Sequence, residues 1–171
     1  MKRLAITVVL GCVLALAPVL SSAASTALSS APTCTRLAVA TTTVEGADGV
    51  GSTTILLVNV GGRCELSGYP VVQFFEPRFN HLVGRDLHRS TMVFASPAPK
   101  RVTLAHDGVA SVGVSWSDDP RAHQTCSRTQ WVNVVMPSSG QLNFQPSLNA
   151  VPCGADVWVT PIEAGPRPTI S

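Results

Sequence analysis

Residues 101–116 read RVTLAHDGVASVGVSW, and this stretch decides the fold class. Two apolar runs, 101–104 and 109–116, flank Asp107-Gly108, which is among the strongest short signals for a tight β-hairpin. The second run alternates between two sets of side chains, namely Ala110, Val112, Val114 and Trp116 against Ser111, Gly113 and Ser115. An alternation of period two predicts a strand with one face in the core and the other in solvent.

Short runs of the same kind recur on both sides of this stretch, separated by Gly, Pro, Asn and Asp. They cover residues 36–44, 53–60, 71–75, 131–136, 141–144 and 157–160. Residues 78–99 are interrupted by charged side chains and prolines, which protect sheet edges, so we expect short edge strands and a long loop there. Beyond the N-terminal leader, no window of a dozen residues has the apolar spacing of a helix.

The number and spacing of these runs predict an all-β fold, an immunoglobulin-like antiparallel β-sandwich of seven or eight strands. A closed barrel is the alternative arrangement. We expect Trp116 to be a core residue because it continues the apolar face of its strand. The same alternation predicts that the core also contains Val58, Val112, Val114, Val132 and Val134.

The N-terminus has the three parts of a secretory signal peptide. Positively charged Lys2 and Arg3 precede the apolar residues 4–20, and small residues follow. We expect cleavage after Ala27, with Ala24 as a second site, and lipidation of Cys12 in a weak lipobox as an alternative. The predicted plan is a signal peptide at 1–27, a short flexible segment at 28–33, a sandwich domain at 34–162 and a frayed tail at 163–171.

Charge excludes one broad class of function. Charged residues make up 13% of the chain, which is about half the share of an ordinary soluble domain. Once Lys2 and Arg3 leave with the signal peptide, ten Lys and Arg face ten Asp and Glu. A chain without net charge has no basic face for a nucleic acid, so we expect no nucleic-acid partner.

Four cysteines remain after the leader, and an even number in an exported chain predicts two disulfides. Zinc ligation is the alternative, but no CxxC or HxxxH spacing is present. Cys34 begins the first strand and Cys64 follows the second, so antiparallel neighbours would bring both to one end. Cys126 and Cys153 each precede a later strand. We therefore predict the pairs Cys34–Cys64 and Cys126–Cys153 among the three possible connectivities.

Catalytic patterns are missing from the sequence. It contains no GxSxG elbow, no phosphate-binding glycine loop and no obvious pair of carboxylates, so we expect a protein that is not an enzyme, with a hydrolase as an alternative. A copper or zinc carrier is a further alternative, because His81 and His88 lie near Met92; His106 and His123 complete the histidines. Three arginines around Phe79, namely Arg78, Arg85 and Arg89, could contact an acidic glycan or a lipid head group.

Residues 54–74, TILLVNVGGRCELSGYPVVQF, resemble a secreted actinobacterial family catalogued as domain of unknown function 4232. The shared features are a strand tip with Asn59, then Cys64, and then Gly68-Tyr69-Pro70. Residues 102–116 and 126–161, in which Cys153 precedes a Val-x-Val-x-Pro strand, are also similar to this family. The family usually has a Pro-Gly turn where Ala105 to Gly108 stand here. The resemblance implies export and a sandwich fold, and it implies no activity.

Together these observations predict an exported, non-catalytic module, extracellular or attached to the cell envelope, that binds a protein, glycan or lipid. A structural or stress-protective protein without a ligand is an alternative. Trp131 and Trp158 lie on less buried faces and could mark a partner surface. Tyr69 is expected to cap the sandwich with its hydroxyl on a backbone carbonyl. We expect no cofactor and no transmembrane segment after removal of the signal peptide.

Overall fold

The computed structural model describes residues 31–42, 44–76, 82–88, 93–120, 125–137, 140–144 and 150–168. For residue 47 and for residues 82–88 and 140–144 it describes the backbone alone. The predicted signal peptide, Cys12 and residues 28–30 lie outside these ranges.

Twelve β-strands and no α-helix are found within the described ranges, so the prediction of an all-β fold is confirmed. The number of strands is larger than the predicted seven or eight, because it includes several very short strands of two or three residues. In chain order they are β1 Leu37–Thr41, β2 Glu45–Ala47, β3 Val50–Asn59, β4 Cys64–Leu66, β5 Val71–Phe75, β6 Leu82–His88, β7 Val102–Leu104, β8 Val109–Ser117, β9 Trp131–Met136, β10 Gly140–Phe144, β11 Asp156–Val159 and β12 Glu163–Ala164.

Ten of these strands form one hydrogen-bonded sheet, in which eight follow a single path that folds over on itself. Its order is β1-β3-β8-β11-β6-β5-β9-β10, with β2 beside β3 and β12 beside β8, while β4 and β7 form a separate pair. The described pairings are antiparallel except that of β6 with β11. The ring of Phe74 on β5 meets that of Trp116 on β8 edge to face, with centroids 5.4 Å apart. The two halves of the path therefore face each other as the layers of a sandwich.

The core lies between these layers, and four of the five predicted core valines belong to it. Val112, Val114, Val132 and Val134 are almost fully buried, and so is Trp116. The prediction for Val58 is wrong, because this residue is half-exposed. Residues 55–60 are nearly all apolar, so their sequence does not indicate which face of β3 turns toward the core. Pairing with β8 decides it by placing Ile55 opposite Val112 and Leu57 opposite Ala110, both on the inner side.

The predicted hairpin around Asp107-Gly108 is also wrong. A turn forms there, with Gly108 N–H donating to Ala105 O at 3.0 Å, but β7 pairs with β4 and β8 pairs with β3. The two-residue Asp-Gly hairpin is instead Asp48-Gly49, which joins β2 to β3 with both residues at positive φ. Such a turn matches the twist of the flanking strands.

Asn59 separates β7 from β8. Its N–H donates to Gly108 O (2.9 Å) and its C=O accepts from Asp107 N–H (2.8 Å). Its side chain is buried, with Nδ2 donating to the carbonyls of Gly62 and Ala105 (each 2.8 Å) and Oδ1 accepting from Gly61 N–H (2.9 Å). One asparagine at the tip of β3 therefore satisfies the backbone groups of two turns.

Both predicted disulfides are present, so their pairing is confirmed. Cys34–Cys64 lies at the end of the sandwich that holds Asn59, and Cys126–Cys153 joins the segments before β9 and β11. The segments outside the predicted domain are in contact with the sheets. Thr33 forms a bridge with Glu65, whereas β12 pairs with β8 where we expected a frayed tail. Residues 169–171 lie outside the described ranges.

Candidate functional site

The outer face of β8 is covered, although the alternation in the sequence predicts that it faces solvent. Ser111 and Ser115 are both 0% exposed. A ring lies above them, because a Cβ atom at Gly113 would come within 2.6 Å of Cγ of Phe94. The glycine in the middle of this strand therefore provides the space in which Phe94 packs on the sheet.

The C-terminal segment reaches the same face of the sheet. Gly165 has φ of 96° and its N–H donates to Val109 O at 2.9 Å, which directs the chain onward to a buried Pro168. Between this segment and the sheet lies an opening of about 270 Å³, which we call the outer-face pocket. Its lining residues are Thr42, Glu45, Ser52, Thr53, Thr54, Phe94, Pro166, Arg167 and Pro168.

Hydroxyl groups dominate the floor of the outer-face pocket, and they are held in position by the backbone. Thr42 Oγ1 accepts from Thr54 N–H at 3.1 Å, and Ser52 Oγ donates to Glu45 O at 3.4 Å. Thr53 stands opposite Val114, on the inner side of β3, and its Oγ1 donates to Thr42 O at 3.2 Å. The Thr42 and Glu45 side chains lie on the exposed side. The pocket thus offers oriented oxygens beside one carboxylate and one guanidinium.

Two buried hydroxyls lie beside this floor without a partner. Ser115 stands opposite Ser52 in the ladder between β3 and β8, so their side chains share the outer face. The Oγ atoms of Ser115 and Ser111 have no hydrogen-bond partner in the described part of the chain. A buried hydroxyl without a partner costs free energy, so unpaired groups in a native fold call for an explanation.

Two further openings have a different character. One, of about 480 Å³, lies between Trp116, Val151 and the Cys126–Cys153 disulfide, with Asp118 at its edge. The other, of about 270 Å³, lies between the chain around Pro97 and that around Ile162, with Lys100 and Arg101 beside it. Arg101 Nε already lies 3.5 Å from Glu65 Oε2. Neither opening has the oriented hydroxyl groups of the outer-face pocket.

The two tryptophans that could mark a partner surface lie on different strands. Trp131 and Trp158 are half-buried on separate strands, β9 and β11. The exposed large apolar side chains within the described ranges are Val60 and Val151, which lie beside neither tryptophan in the sequence. Tyr69 is half-buried as a capping residue would be, and its hydroxyl lies 3.2 Å from Ser96 Oγ.

The proposed metal ligands lie largely outside the described residues. His81, Met92 and His123 are not described, and His88 is described by its backbone alone. His106 is placed in the turn before β8, with Nδ1 at 2.9 Å from Gly61 O and Nε2 at 3.6 Å from Asp107 Oδ1. Within the described ranges no three His, Cys, Asp or Glu side chains come together as metal ligands would. The arginines around Phe79 likewise fall in regions whose side chains are not described.

Sequence analysis did not identify the residues of the outer-face pocket. A signal for it exists, because hydroxyl residues fill 41–43 and 52–54 within otherwise apolar runs. Among the described residues of these segments, the bond from Thr42 N–H to Thr54 O at 3.0 Å brings Thr42 and Thr54 side by side. The sequence does not indicate that Pro166, Arg167 and Pro168 belong to the pocket, because their position depends on the path of the chain after β12.

The comparisons with known proteins identify a family for nearly all of the described chain. A family model described as "Domain of unknown function (DUF4232)" matches residues 34–163. No curated protein and no solved structure has a significant match to the chain. Within the described ranges, no helix is long and apolar enough to cross a membrane.

Proposed function

The chain belongs to the DUF4232 family of domains of unknown function, and on that premise we propose that it is an exported, non-catalytic binding module of the extracellular space or cell envelope. Two disulfides support export, because such bridges persist in oxidising compartments. The charged, apolar and small segments of the first 27 residues support it as well.

The outer-face pocket is the observation that supports the binding role. Ligand sites are commonly concave and carry a few well-placed polar groups. Here Ser52, Thr54 and Thr42 line the floor beside the Glu45 carboxylate and the Arg167 guanidinium. Among the three partner classes that the sequence suggests, we propose a glycan, since sugar hydroxyls both donate to a carboxylate and accept from a guanidinium.

The other two partner classes have less support. A lipid chain needs an apolar cavity, and the lining here carries hydroxyl and charged groups. Stable protein interfaces bury apolar or aromatic anchors, and the exposed large apolar side chains of the described part are Val60 and Val151. A metal-carrying role and a hydrolytic role have no supporting observation in the described residues.

Export and binding are tested separately. For export, the protein is recovered from culture filtrate and its N-terminus is sequenced; we expect a start near residue 28. A lipid-modified Cys12 in the membrane fraction would contradict cleavage after Ala27, and retention of the uncleaved chain inside the cell would contradict export. For binding, the isotope-labelled protein is titrated with soluble oligosaccharides released from the envelope of its source. We expect saturable NMR shift changes at Ser52 and Thr54.

Matched variants decide whether the outer-face pocket is responsible. The double variant Glu45→Gln/Arg167→Ala should abolish the shift changes, because it removes both charged groups and leaves the sheet unchanged. The control Asp118→Asn, beside the disulfide, should leave them intact. The proposed glycan site would be overturned if binding survives in the double variant, or if none of the oligosaccharides binds the unaltered protein.

A further inference from the structure

β1 lies at an edge of the ten-stranded sheet. In the described part of the chain it pairs with β3 and with no other strand. Its sequence is LAVAT, without a charged residue, proline or bulge. Soluble proteins usually protect an edge strand with one of these features, because an unprotected row of backbone groups pairs readily with another strand.

The hydrogen bonds show which backbone groups of β1 face outward. Val60 N–H donates to Arg36 O at 3.1 Å and Thr42 N–H donates to Thr54 O at 3.0 Å. These bonds place the even-numbered residues of this segment in the hydrogen-bonded pairs with β3. In an antiparallel ladder the alternate residues direct their N–H and C=O groups to the opposite side. The outward groups are therefore those of Leu37, Val39 and Thr41.

The side chains of β1 leave the core incompletely covered at this edge. Leu37 and Val39 are half-buried and pack against the core, and Ala38 and Ala40 on the outer face are exposed. The next strand on the same side of β3 is β2, which carries the charged Glu45. The unprotected edge is thus limited to the five residues of β1.

We propose that β1 is the docking site for a second copy of this chain, paired antiparallel about Val39. In that register Val39 faces its own counterpart and Leu37 faces Thr41 of the other copy, and each pair exchanges both of its N–H···O=C bonds. Ala38 and Ala40 meet each other on the outer face. Every residue pair on one side of Val39 is repeated on the other side, as a two-fold interface requires. The pairing extends the sheet across both copies.

Charge variants on the outer face test this pairing by sedimentation equilibrium from about 1 μM to about 1 mM protein. The unaltered exported protein should form dimers within this range. Ala38→Lys/Ala40→Lys places like charges opposite each other, as does Ala38→Glu/Ala40→Glu, so each variant should remain monomeric. An equimolar mixture of the two should restore dimers, because every opposed pair then has opposite charges.

A second variant tests the backbone bonds themselves. Val39→Pro removes an N–H that faces outward, so it should abolish the dimer without breaking the ladder to β3. Circular dichroism of each variant should match that of the unaltered protein. A monomer at every concentration, or dimers in either charge variant alone, would overturn the proposal. Glycan titration of the monomeric variants gives a separate result, because neither Ala38 nor Ala40 lines the outer-face pocket.

Discussion

Gly51 lies directly opposite Trp116 in the ladder between β3 and β8, and the indole ring fills the space that a Cβ atom at position 51 would need. Trp116 is only 1% exposed and is among the largest fully buried side chains of the described part. The absence of a side chain at Gly51 allows the indole ring to lie across β3 and still meet Phe74 in the facing layer.

We therefore expect Gly51→Ala to lower the free energy of unfolding by about 2–3 kcal/mol, because the new methyl group displaces the indole ring. Urea unfolding followed by tryptophan fluorescence measures this change. Gly62→Ala is the matched control, since a Cβ atom there meets nothing within 4 Å. A loss of similar size in both variants would show that the steric conflict with the indole ring is not responsible.

Asn59→Ala should cost about 2–4 kcal/mol, because it removes three hydrogen bonds of one buried side chain, those to the carbonyls of Gly62 and Ala105 and that from the N–H of Gly61. Denaturant titration provides the value. Asn133→Ala is the control, as its described side-chain hydrogen bond is the one from Nδ2 to Gln73 Oε1 at 2.8 Å. Equal losses would contradict the role given to Asn59 in holding two turns.

Asp107→Gly should stabilise the protein by roughly 0.5–1 kcal/mol. Asp107 has φ of 60°, a left-handed conformation that glycine adopts without strain. Its N–H bond to Asn59 O comes from the backbone and survives the substitution. The midpoint of thermal unfolding should rise by a few degrees. A lower midpoint would mean that the Asp107 side chain contributes more than the turn geometry indicates.

Removal of either disulfide should cost on the order of 3–4 kcal/mol, since Cys34–Cys64 and Cys126–Cys153 close loops of similar length, with sequence separations of 30 and 27. Calorimetry of Cys34→Ala/Cys64→Ala and of Cys126→Ala/Cys153→Ala checks this. Non-reducing peptide mapping of the unaltered protein gives the pairing independently. A peptide that joins Cys64 to Cys126 would contradict the structure.

Local patterns predicted the features that depend on nearby residues, and they failed where distant segments decide. The faces of Val112 and Val132 follow from alternation within one strand. No pattern within β8 indicates the burial of Ser111 and Ser115, because it depends on distant segments: Phe94 packs over Gly113 between them and β12 pairs beside Ser111. Asp48-Gly49 and Asp107-Gly108 have the same dipeptide, yet Asn59 enters beside the second and directs its flanking strands to different partners.

The candidate site was harder to predict for the same reason. Its floor comes from two hydroxyl-rich segments that meet only when β1 and β3 pair, and its wall comes from Arg167 at the opposite end of the chain. Ser52 and Thr54 taken alone read as ordinary strand residues. A pocket assembled from segments so distant in sequence leaves no motif.

The sequence separations of the pairings also have a consequence for folding. Each disulfide joins cysteines 30 or 27 residues apart, whereas the ladder of β3 with β8 brings Val50 to Ser117 and that of β6 with β11 brings Arg85 to Asp156. Closing a short loop costs less entropy than closing a long one, and non-local pairing slows folding. Each cysteine pair can therefore close its loop at a smaller entropic cost than the ladders of the central sheet.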